Sequence, residues 1–291
     1  MSFLSYLING ISLGSIYAII ALGYTMVYGI AKMLNFAHGD VIMVGSYVVY
    51  VAVSGMGLNP ILAILLSIII CTLMGVVIEG VAYRPLRNAA SPLAVLITAI
   101  GVSYLLQNVA LLIWGADTKS FSNVISLPSL KLAGGSIVIT GVTIIGGILI
   151  MAGLMLFISK TKTGQAMLAV SEDKGAAQLM GINVNKTISI TFAIGSGLAA
   201  IAGVLLCSAY PSLTPYTGAM PGIKAFVAAV FGGIGSIPGA FIGGVVLGIL
   251  EIFGKAYISS QMADAIVFGV LIVVLVVKPT GILGKNIQEK V

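Results

Sequence analysis

Apolar runs close to twenty residues long recur from one end of the chain to the other, and they restrict what it can become. A helix of about twenty apolar residues just crosses the ~30 Å hydrocarbon core of a bilayer. Inside lipid the backbone must satisfy its own hydrogen bonds, which leaves helices or closed barrels. The 291 residues are 59% hydrophobic and 8% charged, with mean hydropathy +1.17; about a quarter of an ordinary soluble domain is charged. The chain is therefore an all-α polytopic membrane protein.

The runs place spans at about 6–30, 41–55, 60–83, 93–114, 137–159, 188–210 and 262–278, with an interrupted pair at 223–253, or about eight transmembrane helices. The 37 glycines suit close helix contacts in lipid. Cys71 and Cys207 lie inside apolar runs and read as packed thiols rather than a disulfide. The N-terminal MSFLSYLING has no basic stretch before its apolar run, so it reads as the start of the first span, not as a cleaved signal.

The net charge of +6 reads as basic cytoplasmic loops, not as a nucleic-acid surface. The longest polar segment, 160–187, carries four lysines. With it inside, Lys32, Arg84, Arg87, Lys278, Lys285, Lys290 and those four fall on the cytoplasmic side, against Lys119, Lys131 and Lys255 outside and Lys224 at the boundary. This orientation puts the C-terminus in the cytoplasm and the N-terminus outside or at the interface.

Within 223–253, Gly232, Gly233, Gly235, Pro238 and Gly239 interrupt the apolar run. Glycine costs a helix interior about 1 kcal/mol and proline about 3. The expectation is a broken, re-entrant hairpin with arms of 12–14 residues, each roughly 20 Å long, entering and leaving from the outer side. The alternative is a pair of full helices joined by a tight turn. Irregular backbone at membrane depth must be buried in protein or line a water-filled path, which makes Gly232, Gly233, Gly235, Ser236 and Gly239 candidates for a translocation path. Glycine spacings at Gly239/Gly243, Gly244/Gly248 and Gly195/Ala199/Gly203 mark helix contacts.

Other polar residues stand out against the apolar background. Asn35, His38 and Asp40 fall within six residues, as a hydrogen-bonded turn or part of the path; no third or fourth metal ligand lies nearby in sequence. Gln107 and Asn108 read first as interhelical amides and second as path residues. Glu79 is expected to reach toward Arg84 and Arg87, and Glu251 to pair with Lys255 one helical turn on. The segments 115–136 and 211–222 are outer loops that could meet an external partner.

Within 160–187, Ser171 is expected to cap a helix running to Met180, with Glu172 and Asp173 in its first turn and Gly181 closing it. Lys174 keeps its start wet, and Ala176, Ala177, Leu179 and Met180 give it an apolar side. A helix this short needs a bilayer surface or a partner groove. Neither a phosphate-binding Gly-x4-Gly-Lys-Ser/Thr loop nor a His/Cys cluster is present, so nucleotide hydrolysis and an enzyme active site are not expected on this chain.

Six stretches carry a resemblance: GSIYAIIALGYTMVYGI with KMLNFAHGDVIMVGSY (14–47), AYRPLR (82–87), TAIGVSYLLQN (98–108), TGQAMLAVSEDKGAAQLMGINV (163–184), AFVAAVFGGIGSIPGAFIGG (225–244) and KPTGILG (278–284). Nearly end to end, the chain resembles the permease subunits of branched-chain amino-acid ABC importers. The resemblance implies a single transmembrane domain over 1–291, translocating leucine, isoleucine or valine across the cytoplasmic membrane. It implies a second related permease, two cytoplasmic ATPases that carry ATP and Mg²⁺, and an extracytoplasmic solute-binding protein, with no cofactor on this chain. It puts 163–184 at the ATPase-docking loop, with Ser171, Glu172, Asp173, Lys174, Gly175, Ala176, Ala177 and Gly181 as coupling residues. Glu172 is followed by Asp173, where other importer classes have two alanines. An importer of another small solute, such as an amide or urea, is an alternative. An ion-coupled secondary transporter is another, but it would want a carboxylate near the midplane, whereas the acids here sit mostly near span ends.

Overall fold

The computed structural model describes residues 3–87, 92–120, 131–132 and 135–284. Lys285, Lys290 and much of the 115–136 segment therefore lie outside the described residues. Among those described, eleven α-helices follow in order: α1 (Phe3–Ala31), α2 (His38–Tyr50), α3 (Pro60–Ile78), α4 (Pro92–Trp114), α5 (Ile137–Lys160), α6 (Lys162–Glu172), α7 (Lys174–Leu179), α8 (Val184–Ala209), α9 (Ala219–Gly232), α10 (Ile237–Tyr257) and α11 (Ala263–Val277). Six helical segments are long and apolar enough to cross a membrane, and α9 and α11 are two shorter apolar helices, close to the expected eight. Four two-residue strands, β1 (Lys119–Ser120), β2 (Lys131–Leu132), β3 (Gly135–Ser136) and β4 (Ser212–Leu213), pair antiparallel as β1 with β4 and β2 with β3.

Helix starts follow local chemistry. Asn59 accepts a hydrogen bond from the Ile61 amide ahead of Pro60, Asn183 accepts one from the Lys186 amide, and Ser236 accepts one from the Gly239 amide. Helix α3 does not end as an α-helix. It passes through a π-helical turn at Glu79–Tyr83 and a 3₁₀ turn at Arg84–Leu86.

The chain divides into two compact units. In the unit formed by 26–127 and 153–223, α8, the most buried of the six long apolar segments, packs on α2 and α3. Small residues set the approach: a Cβ on Gly75 would meet the Phe192 carbonyl at 2.8 Å, and one on Gly203 the Ile42 carbonyl at 2.6 Å. Tyr47 stacks on Trp114 with ring centroids 4.3 Å apart. Large apolar side chains along α3 and α4 stay exposed, as expected of a surface solvated by lipid.

In the unit formed by 1–25, 128–152 and 224–291, α10 carries two glycine faces. Gly244 and Gly248 lie against Ala18 and Gly14 of α1, and Gly239 and Gly243 against Gly232 and Ala228 of α9. Ser12 and Thr143 join α1 to α5 through a hydroxyl pair 2.7 Å apart.

The hairpin at 223–253 is broken where expected, at Gly233–Ser236, with Gly233 at φ +104° and Gly235 at φ +92°. Its arms are unequal. Helix α9 has 14 residues, about 21 Å. Helix α10 has 21, about 32 Å, which is a full span rather than the short arm expected. The tip is also covered. The Ile282 amide donates to the Phe231 carbonyl at 2.9 Å and the Leu283 amide to the Gly232 carbonyl at 3.0 Å. Gly281, at φ +77°, lets this strap lie against Gly233. The tip thus sits at the level where the chain leaves α11. Cysteines placed at Ser236 and at Lys278 should label with an impermeant maleimide from the same side of the membrane in intact cells; labelling from opposite sides would refute this placement.

Candidate functional site

The polar segment after α5 folds as two helices rather than one. Thr161 caps α6, accepting from the Gly164 amide at 3.0 Å, and Gly164 lies against the end of α5 at Ile158. Met167 and Val170 are buried beneath it. Ser171 is therefore not the N-cap it was expected to be. It lies in the last turn of α6, and its hydroxyl donates to the Leu168 carbonyl at 2.7 Å. Asp173 is the cap instead: its carboxylate accepts from the Gly175 and Ala176 amides at 2.7 and 2.9 Å. Gly181 ends the turn after α7 with φ +82°, the left-handed closure expected.

Helix α7 shows two contrasting faces. Ala177 is buried, and Lys174 Nζ donates to the Ala31 carbonyl, the last of α1, at 3.0 Å. Partial desolvation, and then the nearby Arg87 and Lys32 charges, lower the Lys174 pKa. On the other side, Leu179 is 90% and Met180 83% exposed. Glu172 and Gly175 are also exposed. The helix is anchored by its polar start and presents an apolar end.

Behind it stands a buried ionic network. Glu79, fully buried, takes Arg84 at 3.1 Å and Arg87 as ion-pair partners. Ser189 of α8 donates to the same carboxylate at 2.5 Å, and Asn185 receives Arg87. The π-helical turn presents Glu79 to these partners and Tyr83 to Asn35, whose amide oxygen accepts from the Tyr83 hydroxyl at 3.0 Å. Glu79 was expected to reach the two arginines; its ties to α8 were not.

The remaining path candidates are sorted by the fold. Asn35, in the turn before α2, and His38, its first residue, are both buried. Gln107 donates to Asp40 at 2.9 Å, whereas Asn108 is exposed and donates to the Tyr104 carbonyl of its own helix. Gly232, Gly233, Gly235, Ser236 and Gly239 belong to the other compact unit. That unit has its own ionic cluster. Glu251 pairs with Lys255 at 2.6 Å as expected, but also with Lys224 at 2.9 Å, and Lys224 reaches Asp264 at 2.7 Å. The Tyr17 hydroxyl donates to Glu251 at 2.8 Å. Sequence reasoning placed Lys224 at the membrane boundary but missed its partners. The available signal was four charges, Lys224, Glu251, Lys255 and Asp264, in otherwise apolar helices, which must find one another.

The comparisons agree with this architecture. The family model described as branched-chain amino acid transport system / permease component matches residues 6–276. The high-affinity branched-chain amino acid transport system permease protein BraD of Pseudomonas aeruginosa is 46% identical over 304 residues, covering 99% of this chain and 98% of that one. LivH of Escherichia coli, with the same description, is 45% identical over 308 residues at the same coverage. A solved structure of PsaBC from Streptococcus pneumoniae in complex with Fab is similar in fold, with TM-score 0.50 and 15% identity, over 96% of this chain and 93% of that chain.

Removing one member of a buried ion pair strands its partner at a cost of about 3–5 kcal/mol, against 0–1 for an exposed pair. Glu79→Ala should therefore lower the unfolding free energy of the purified chain far more than Arg84→Met, whose side chain is 46% exposed. Adding Arg87→Met to Glu79→Ala should recover part of the loss. Equal small losses for both single variants would show that the network does not hold this end together.

Proposed function

The chain belongs to the branched-chain amino-acid transport system permease family, and on that premise we propose that it is the membrane subunit of an ABC importer for leucine, isoleucine and valine. ATP and Mg²⁺ act on two partner ATPase chains. A second related permease completes the passage across the cytoplasmic membrane, and an extracytoplasmic solute-binding protein delivers the substrate. The observation that carries the coupling is helix α7: outside the apolar spans, it is fixed at Asp173 and Lys174 while Leu179 and Met180 stand exposed. Apolar side chains held out on an anchored short helix suit a groove on a soluble partner.

In this reading 160–187 and the C-terminus face the cytoplasm, following the distribution of lysine and arginine. The ATPases would act on α7 through Glu172, Gly175, Leu179 and Met180. The motion passes through Lys174 to the end of α1, and through α6 to the ends of α5 and α8. The transported amino acid carries an ammonium, a carboxylate and an aliphatic side chain. Asn35, His38, Gln107, Asn108, Gly232, Gly233, Gly235, Ser236 and Gly239 stay as the proposed path residues. These polar and small groups suit a zwitterion.

Leu179→Ser together with Gly175→Trp should leave insertion and thermal stability unchanged. Loss of a buried apolar anchor costs about 2 kcal/mol, or roughly thirty-fold in ATPase affinity. Co-purification of the ATPases and uptake of labelled leucine should both be lost. Undiminished co-purification would sink the docking role. Uptake that survives ATP depletion but collapses with an uncoupler would sink the importer class.

A further inference from the structure

Beside α7 lies a cleft of about 310 Å³ with a mixed lining. Lys32, Arg87 and Lys174 are its basic residues, and Leu86, Val95 and Leu96 are among its apolar ones. Among the described lining residues none is acidic. Glu79 offsets the Arg87 charge from outside the lining, but Lys32 and Lys174 have no ion-pair partner among the described residues, an arrangement that favours an anion.

Two further observations point to a ligand there. Arg87 gives its terminal nitrogens to Glu79 and Asn185, yet its Nε has no hydrogen-bond partner although the side chain is only 10% exposed. A buried donor without an acceptor is costly. Lys32 is the one non-glycine residue among those described with positive φ, at 57°. The left-handed turn after α1 costs about 1–2 kcal/mol for a residue with a Cβ, and glycine or asparagine would ordinarily occupy it. A lysine held there puts a charge on the rim of the cleft at the expense of backbone strain.

We propose that this cleft binds a phosphate group, with the arginine and two lysines as ligands and the apolar wall taking the glycerol and first methylenes when an anionic phospholipid presents it. Basic pockets between transmembrane helices bind lipid headgroups by this chemistry. The site joins the turn after α1, the turn after α3 and the start of α7. An occupied cleft therefore braces α7 against the unit that carries it. This goes beyond the transport reading and does not depend on which solute is carried.

The test uses the full chain purified in neutral detergent, titrated with dioctanoyl phosphatidylglycerol, dioctanoyl phosphatidylcholine or inorganic phosphate, with thermal stability and bound lipid by native mass spectrometry as readouts. Phosphatidylglycerol should bind and raise the melting temperature, and phosphatidylcholine should do neither. Lys32→Asn keeps a residue tolerant of the left-handed turn but removes the charge. It should weaken phosphatidylglycerol binding roughly fivefold, the worth of one basic residue near a membrane surface, and Lys32→Arg should retain it. A response to inorganic phosphate matching that to phosphatidylglycerol would assign the site to free phosphate. No response to either, or equal responses in wild type and Lys32→Asn, would overturn the proposal. So would a Lys32→Asn chain that keeps its lipid response but loses its ATPase partner, since the cleft would then be a protein contact.

Discussion

A carboxylate with no exposed surface fixes the end of the structure that carries α7. Glu79 is buried completely, and a lone charge in that position would be expelled or neutralised. Its partners come from the turn that follows α3, Arg84 and Arg87, and from α8, Ser189. Through Arg87 the network reaches Asn185, and through the adjacent Tyr83 it reaches Asn35. Buried ion networks seldom add much net stability, because desolvation offsets the attraction. What this one supplies is a single arrangement: the π-helical turn, the course of the chain into 84–87 and the rotation of α8 all have to suit the same two oxygens.

The same rule explains the hairpin in the other unit. Breaking a helix at Gly233–Ser236 frees backbone carbonyls, and in an apolar setting those need donors. Ile282 and Leu283 provide two of them. The charged residues Lys224, Glu251, Lys255 and Asp264 obey the same requirement with side chains. Glycine is concentrated at the seams because close approach of backbones is what remains when apolar side chains have no water to escape from.

Much of this was legible in the sequence, and the division has physical causes. Spans could be placed because an apolar run of twenty residues has few other outcomes. Caps such as Asn59 and Ser236, and the closure at Gly181, are local and declare themselves. Ser171 misled because Ser171 and Asp173 are equally suited to capping. The decision was made ten residues earlier, where Thr161 starts a helix that runs through Ser171 and ends at Glu172. That Lys224 needs a charged partner was legible from its place in an apolar helix, but which partner it meets, and 282–283 covering the hairpin tip, were not, because those pairings join residues far apart in sequence and no periodicity reports them. The length of α10 was missed for a related reason: the helix resumes at Ile237 under the Ser236 cap, and its glycines are packing surfaces rather than breaks.

Asp173 is the whole of the connection between α6 and α7. It is extended, at φ −151° and ψ 114°, and its side chain is spent on the first amides of the helix that follows. A joint of one residue has no slack. A longer linker would let α7 tilt under load while α6 stayed still, and the displacement would be lost as bending. If the partner does press on the exposed end of α7, as proposed, the one-residue joint would pass the displacement to α6, with Asp173 setting how stiffly.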